Sequence, residues 1–230
     1  MSVAPPRLIV NADDFGLSRG VNAGIIRAHE EGVVTAASLM TRAACTAEAA
    51  AYARRSWRLS VGLHFEFGEW KCIEGHWLPA YELVSPDDAA AIAREATSQL
   101  ERFRDLLGRN PTHIDSHQHF HRREPYRTVL RRVAAELSVP LREDGSIRYI
   151  GAFYGQTEDG APMENHIRPP FFLKLAKTLR SEVAELSCHP SAAPDTTTPY
   201  EHERLIELDT LCDRRVREGL AELSIELTAF

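Results

Sequence analysis

A repeated order of short apolar run, polar loop and amphipathic helix limits this fold more than any other feature. Arg7–Asn11 (RLIVN) predicts a strand, and Val21–His29 a helix that stacks Val21, Ile25 and Ile26 before a stop at Gly32. Val34–Met40 predicts the next strand, Thr46–Arg55 an Ala-rich helix, and Leu59–Phe65 a third strand. Asp87–Leu107 predicts a long helix closed by Gly108 and Pro111. Thr112–Ser116 follows as a strand and Pro125–Leu137 as a helix, with Val139–Arg142 and Ile147–Tyr154 extended. Residues 155–170, rich in Gly, Pro and charge, predict a loop. Pro169–Ser181 and His202–Ala221 predict helices, and Ala184–Cys188 and Leu223–Thr228 strands.

Strands alternating with helices of this length imply parallel βαβ units. Roughly seven or eight of them point to an α/β fold of TIM-barrel type, an irregular or incomplete (β/α) barrel. A doubly wound open sheet is the alternative. At 230 residues the chain is expected to form one domain, 1–230. No G-x-G-x-x-G follows the first strand and no G-x-x-x-x-G-K-[ST] occurs, so nucleotide binding has no support.

Net charge is −6, which argues against a nucleic-acid partner; the pairs Arg131–Arg132 and Arg214–Arg215 fit solvated helix faces. The N-terminus, MSVAPPRLIV, lacks a basic segment followed by an apolar one, and the longest apolar runs are too short for a membrane span. A cytoplasmic protein is expected. Cys45, Cys72, Cys188 and Cys212 are scattered without a C-x-x-C pair, so buried free thiols are expected rather than a disulfide framework.

Four predicted strands end in unusual polar clusters. The first runs into Asn11-Ala12-Asp13-Asp14-Phe15-Gly16, the third into Gly62-Leu63-His64. The fourth runs into Asp115-Ser116-His117-Gln118-His119, and a late one into Cys188-His189-Pro190. In parallel α/β folds the C-terminal strand ends share one rim, where ligands bind, so these residues would converge. Carboxylates and imidazoles together suit a divalent metal with mixed oxygen and nitrogen ligands. Asp13 and Asp14 would point apart, one toward the ion and the other toward substrate as a base. Such an ion polarises a carbonyl and acidifies bound water, and His189 is the candidate to protonate a leaving group. Each motif alone also fits a structural role. The Asp pair could cap a turn and helix, His64 could be a core histidine, and His189-Pro190 could form a turn.

Together, NADDFG, G-L-H, THIDSHQHFH and the late CHP resemble the YdjC family, over about Arg7 to the last strand, with Ala152-Phe153-Tyr154-Gly155 as a further local likeness. Its best-known members are carbohydrate deacetylases of the chitooligosaccharide type, and it includes hopanoid-biosynthesis relatives. The resemblance implies an irregular (β/α) barrel related to polysaccharide deacetylases, and hydrolysis of N-acetyl groups from an amino sugar or short oligosaccharide. It also implies one divalent metal ion, usually magnesium, with zinc or another transition metal open, and a homodimer. Carried over by motif, Asp14, His64 and His117 would be metal ligands, Asp13 the general base and His189 the general acid.

Around that set, Arg142 would hold Asp13 ionised, or else pair at the surface with Glu143 or Asp144. Asp115 would orient a ligand histidine. His119 and His121 would face the cleft or stand behind the ligands, and His113 would pack at the strand start. Of Phe65, Trp70, Trp77, Phe153 and Tyr154, one or two would line a sugar-binding cleft. The run Phe65-Glu66-Phe67-Gly68-Glu69-Trp70-Lys71, the loop around 67–80 and the segment 144–168 depart from the family pattern and leave the sugar open. Two other functions fit the same residues. A metal-dependent phosphoesterase would recruit His119 or His121 to a second ion. A sugar-binding module would keep the fold without turnover.

Overall fold

The computed structural model describes residues 4–73, 76–194 and 200–230, with the backbone alone for Cys72 and Ile73. Its centre is a curled parallel sheet in the order β6-β3-β2-β1-β8-β7. These strands are β1 (Arg7–Phe15), β2 (Ala36–Leu39), β3 (Ser60–Phe65), β6 (Ile114–Ser116), β7 (Arg148–Ile150) and β8 (Val183–Cys188). A short β9 (Glu226–Leu227) pairs with the start of β1 at Arg7 and Leu8, below the point where β2 joins at Asn11. Among the described residues, the sheet continues beyond β6 only as a single parallel bridge from Ile114 to Leu141. Among the described residues no ladder joins that end to β7, so the (β/α) barrel is incomplete.

Sheets covered on both faces need near-continuous apolar strands, and β2 and β3 are buried at every position. Phe15, Phe65, Phe67, Phe103, Phe153 and Phe172 are fully buried in the core. Each contributes about 1.5–3 kcal/mol by leaving water.

The covering helices are α1 (Arg19–Glu30), α2 (Thr46–Ala53), α3 (Ala89–Leu107), α4 (Tyr126–Leu137) and α5 (Pro169–Ala176). Ser18 caps α1 by accepting from the Val21 amide, and Asp88 caps α3 by accepting from Ala91. Gly108 ends α3 in the left-handed region at φ 66°. The expected helix His202–Ala221 is two, α6 (His202–Leu211) and α7 (Arg214–Glu222), because Asp213 leaves helical geometry to cap the second.

Other expectations are corrected. The loop around 67–80 is an antiparallel hairpin, β4 (Gly68–Ile73) with β5 (His76–Glu82). The loop 155–170 contains a 3₁₀ turn, Glu164–Ile167, and the helix after it stops at Ala176 rather than Ser181. Cys188 is buried, but Cys45 and Cys212 are half-buried; all three are free thiols, and the Cys72 side chain lies outside the described residues. Among the described residues no helix is long and apolar enough to cross a membrane.

Two glycines mark close approaches behind the site. A Cβ on Gly62 would come within 2.4 Å of the His113 ring, and one on Gly24 within 2.5 Å of the Ser191 backbone. The first lets β3 close over a buried histidine, and the second lets α1 support the loop after His189.

Candidate active site

The site begins where β1 bends. Its pairing with β2 is irregular between Ala12 and Phe15, and Asp14 takes φ 65°, a left-handed conformation rare for a side-chain-bearing residue. The strand therefore runs on through the Asp pair, which the sequence placed beyond it, and the bend turns the two carboxylates apart. Asp13 accepts two bonds from Arg142, at 2.6 and 2.7 Å. Asp14 turns the other way and accepts from Arg204 through Oδ2 at 2.7 Å.

The neighbouring strand ends bring two imidazoles to the free oxygen of Asp14. His64, near the end of β3, places Nε2 3.3 Å from Asp14 Oδ1, and His117, just past β6, places Nδ1 3.1 Å from it. All three side chains are at least mostly buried. One donor atom from each lies within 4.8 Å of the others. A carboxylate oxygen and two imidazole nitrogens at this separation fit a divalent cation with positions left for other ligands. Asp13, His64 and Asp115 also cluster, but Arg142 already neutralises both of those carboxylates.

Asp115 accepts from His64 Nδ1 at 2.8 Å, so the histidine it orients is His64 and not its sequence neighbour His117. Burial disfavours the His64 cation, yet the charge and hydrogen bond of Asp115, with Asp14 and Asp13, push its pKa up to about 10. A metal ion there must displace that proton. Asp14 is also buried, but Arg204 and the two histidines hold its carboxyl well below the usual range.

Arg142 is buried and sits among three carboxylates: Asp13, Asp115 and Glu185. The surface pairing with Glu143 or Asp144 does not form; those residues pair with Arg122 and Arg131. Of the expected extended run Val139–Arg142, only Leu141 bridges to β6, which sets Arg142 at the rim. Asn11 and Ser38 close the network, Asn11 donating to Asp13 and Ser38 to Asp115.

His189, after β8, lies with Nε2 3.8 Å from Asp13 Oδ2. Its backbone N–H and the Tyr200 hydroxyl both donate to Glu207. Burial, helped by Arg204 and Arg142 against the pull of Asp13 and Asp14, lowers the His189 pKa to about 4. The resting imidazole is neutral.

These groups open into a cavity of about 740 Å³. Asp13, Asp14, His64, His117, His119, His189 and Arg204 line it, with Trp70, Trp77, Tyr149, Tyr154 and Tyr200. Of the aromatics singled out from the sequence, Trp70, Trp77 and Tyr154 reach the cavity, while Phe65 and Phe153 are core. Tyr154 stacks on Tyr200 with centroids 4.5 Å apart. His113 is buried, stacked on Phe230. His121 is buried against Ser116. A larger hollow of about 1100 Å³ lies at the N-terminal strand ends around His29 and Trp57, away from this cluster.

Sequence reasoning missed Arg204, Glu185, Glu207, Tyr149 and Tyr200. Glu185 carried a signal, an acid inside an otherwise apolar strand. Arg204 and Glu207 carried none, since charged residues in an amphipathic helix normally face water.

Comparison with known proteins places this geometry. The profile of YdjC (YdjC-like protein) matches residues 7–222. A chitooligosaccharide deacetylase from Enterobacter sp. (strain 638) is 34% identical, over 97% of each chain. A crystal structure from Enterococcus faecalis V583, of a protein named for cellobiose-phosphate cleavage, superposes with TM-score 0.79 at 26% identity, covering 98% of this chain and 97% of that one. A family 4 carbohydrate esterase from Streptomyces lividans, solved with acetate, shares the fold at TM-score 0.56 and 12% identity, covering 97% and 92%. Matched by that family model over residues 7–222, nearly its whole length, the chain belongs to the YdjC-like family.

Proposed function

We propose that the protein is a metal-dependent carbohydrate deacetylase that hydrolyses the N-acetyl group of an amino sugar or short oligosaccharide. The observation that carries this is the division of the Asp pair, Asp13 clamped by Arg142 and Asp14 turned toward His64 and His117, at the floor of an aromatic-walled cavity. The likeness to a protein named chitooligosaccharide deacetylase supports the same reading.

Asp14, His64 and His117 would hold one divalent cation, magnesium by family resemblance, which when bound polarises the acetyl carbonyl and acidifies water. Asp13, held in place by Arg142, takes a proton from water as the water oxygen bonds to the amide carbon. His189, 3.8 Å away, receives that proton and hands it to the nitrogen as the C–N bond breaks. Acetic acid and the amine leave, the acid's proton passing to the amine or to water, and both side chains return to their starting state. Trp70, Trp77 and Tyr154 offer flat faces for the sugar rings.

The test is acetate release from a panel of N-acetylated sugars after chelation and then with Mg²⁺, Zn²⁺, Mn²⁺ or Co²⁺ restored. Release that depends on added metal supports the proposal. No acetate from any sugar with any ion would sink it. In parallel, bound metal should fall to zero in Asp14→Ala or His117→Ala when Mg²⁺ is the ion supplied.

A further inference from the structure

The 3₁₀ segment His117–Arg122 presents three histidines, and the proposed reaction uses one. Gln118 and His119 both have left-handed backbones, at φ 46° and 54°. That geometry sends His117 toward Asp14 and turns His119 and His121 away from it. Glu143, which meets them from another loop, is left-handed too, at φ 60°. Strained backbone at three side-chain-bearing residues of one cluster is the kind of feature that marks a binding site.

The side chains are arranged for a ligand that they do not supply to each other. Ser116 Oγ lies 2.7 Å from His121 Nδ1 and accepts the His121 backbone N–H at 2.8 Å, which fixes the ring. His121 Nε2 is then buried without a hydrogen-bond partner, and so is Nδ1 of His119. His121 Nε2 and Glu143 Oε2 are 3.4 Å apart but are not aligned for a hydrogen bond. Two ligands at about 2.1 Å from a tetrahedral ion stand about 3.4 Å from one another. One donor atom each from His119, His121 and Glu143 lies within 4.8 Å of the others. Buried polar atoms are rarely left unpaired without a reason, and a cation held beside Glu143 would satisfy the orphaned His121 Nε2.

We propose that His119, His121 and Glu143 form a second divalent-metal site, separate from Asp14, His64 and His117, selective for a borderline transition metal of the Zn²⁺ type. Two imidazoles and a carboxylate, the same donor set as at Asp14, His64 and His117, suit such an ion. The fourth position opens toward the cleft, because His119 lines the cavity. Arg122 also binds the Glu143 carboxylate, but the carboxylate has lone pairs to spare and Arg122 is half exposed. Arg142 and Arg122 place positive charge near His119, while at His121 Asp115 and Glu143 oppose Arg142. A bound ion would staple the segment carrying His117 to the loop at Glu143.

Counting ions tests this on the full chain by calorimetry with ZnCl₂ and elemental analysis after gel filtration. Wild type should bind two Zn²⁺ per chain; His121→Ala and Glu143→Gln should each bind one. His117→Ala should retain one, and His117→Ala with His121→Ala none. Should the His117 variants fail to fold, the decisive comparison is wild type against Glu143→Gln. Zn²⁺ should then raise the melting temperature of Mg²⁺-saturated wild type by several degrees more than that of the variant. One Zn²⁺ in wild type, unchanged by His121→Ala and Glu143→Gln, would overturn the proposal. The count is independent of acetate release, so an active enzyme with one ion loses this site and keeps its activity. An inactive protein with two ions does the reverse.

Discussion

Arg142 grips Asp13 with both outer nitrogens of its guanidinium, at 2.6 and 2.7 Å, across 129 residues of sequence. The planar fork matches the carboxylate, and the same side chain reaches Asp115 and Glu185. Replacing it by Met leaves three buried carboxylates without their counter-charge. Arg142→Met should lose about 3–5 kcal/mol of stability, read by urea unfolding. A loss under about 1 kcal/mol would show that the network relaxes without it.

Asp13→Asn removes the proposed base and keeps the shape. Acetate release should fall about 10²- to 10⁴-fold while bound Mg²⁺ stays at its wild-type level. A full rate in this variant rules out Asp13 as the base, and lost metal would make it a ligand instead.

Arg204 neutralises Asp14, although nothing in the local pattern around Arg204 marks it as a partner. A bound divalent ion would supply charge to the same carboxylate. Arg204→Met should therefore destabilise the metal-free protein by about 3–5 kcal/mol and the metal-loaded protein by less. Equal losses with and without metal would separate Arg204 from the ion.

Gln118 ties the β4–β5 hairpin to the histidine segment, accepting from the Trp70 amide and donating to the Trp70 carbonyl, both at 2.8 Å. Gln118→Ala should free that edge of the cavity and raise KM for an N-acetylated oligosaccharide several-fold, with kcat changed less. A variant that loses kcat alone would place Gln118 with the chemistry of His117.

Glu207 has a pKa raised by burial from 4.5 to about 8, against the hydrogen bonds it accepts from His189 and Tyr200. The folded protein keeps a proton there that the unfolded chain releases above about 4.5. This group's contribution to stability is therefore full below about pH 4.5 and declines as pH rises toward 8, by up to about 1.4 kcal/mol per pH unit. Glu207→Gln cannot ionise, so it should gain on wild type between pH 5 and 8 in denaturant melts. A constant difference across that range would show that Glu207 ionises as freely folded as unfolded.

Local pattern made the barrel legible. Apolar period and glycine stops placed β1, β3, β6 and β8, and parallel order then required Asp13, Asp14, His64, His117 and His189 to share a rim. The hairpin at 68–82 was not legible, since residues 76–82 are exposed throughout and carry no buried period. Nor was the break at Asp213, where helical spacing continues through a residue that turns to cap the next helix.

The sequence alone determined which residue types arrive at the strand ends, because strand and helix periods are local and parallel connections admit few topologies. Tertiary structure alone decided what each side chain faces. The left-handed turn at Asp14 split the acid pair, and Asp115 was given to His64 rather than His117. Arg204 and Glu207, polar residues on a helix, were buried against the site. The energy of a buried charge depends on partners more than a hundred residues away, and no local pattern encodes them.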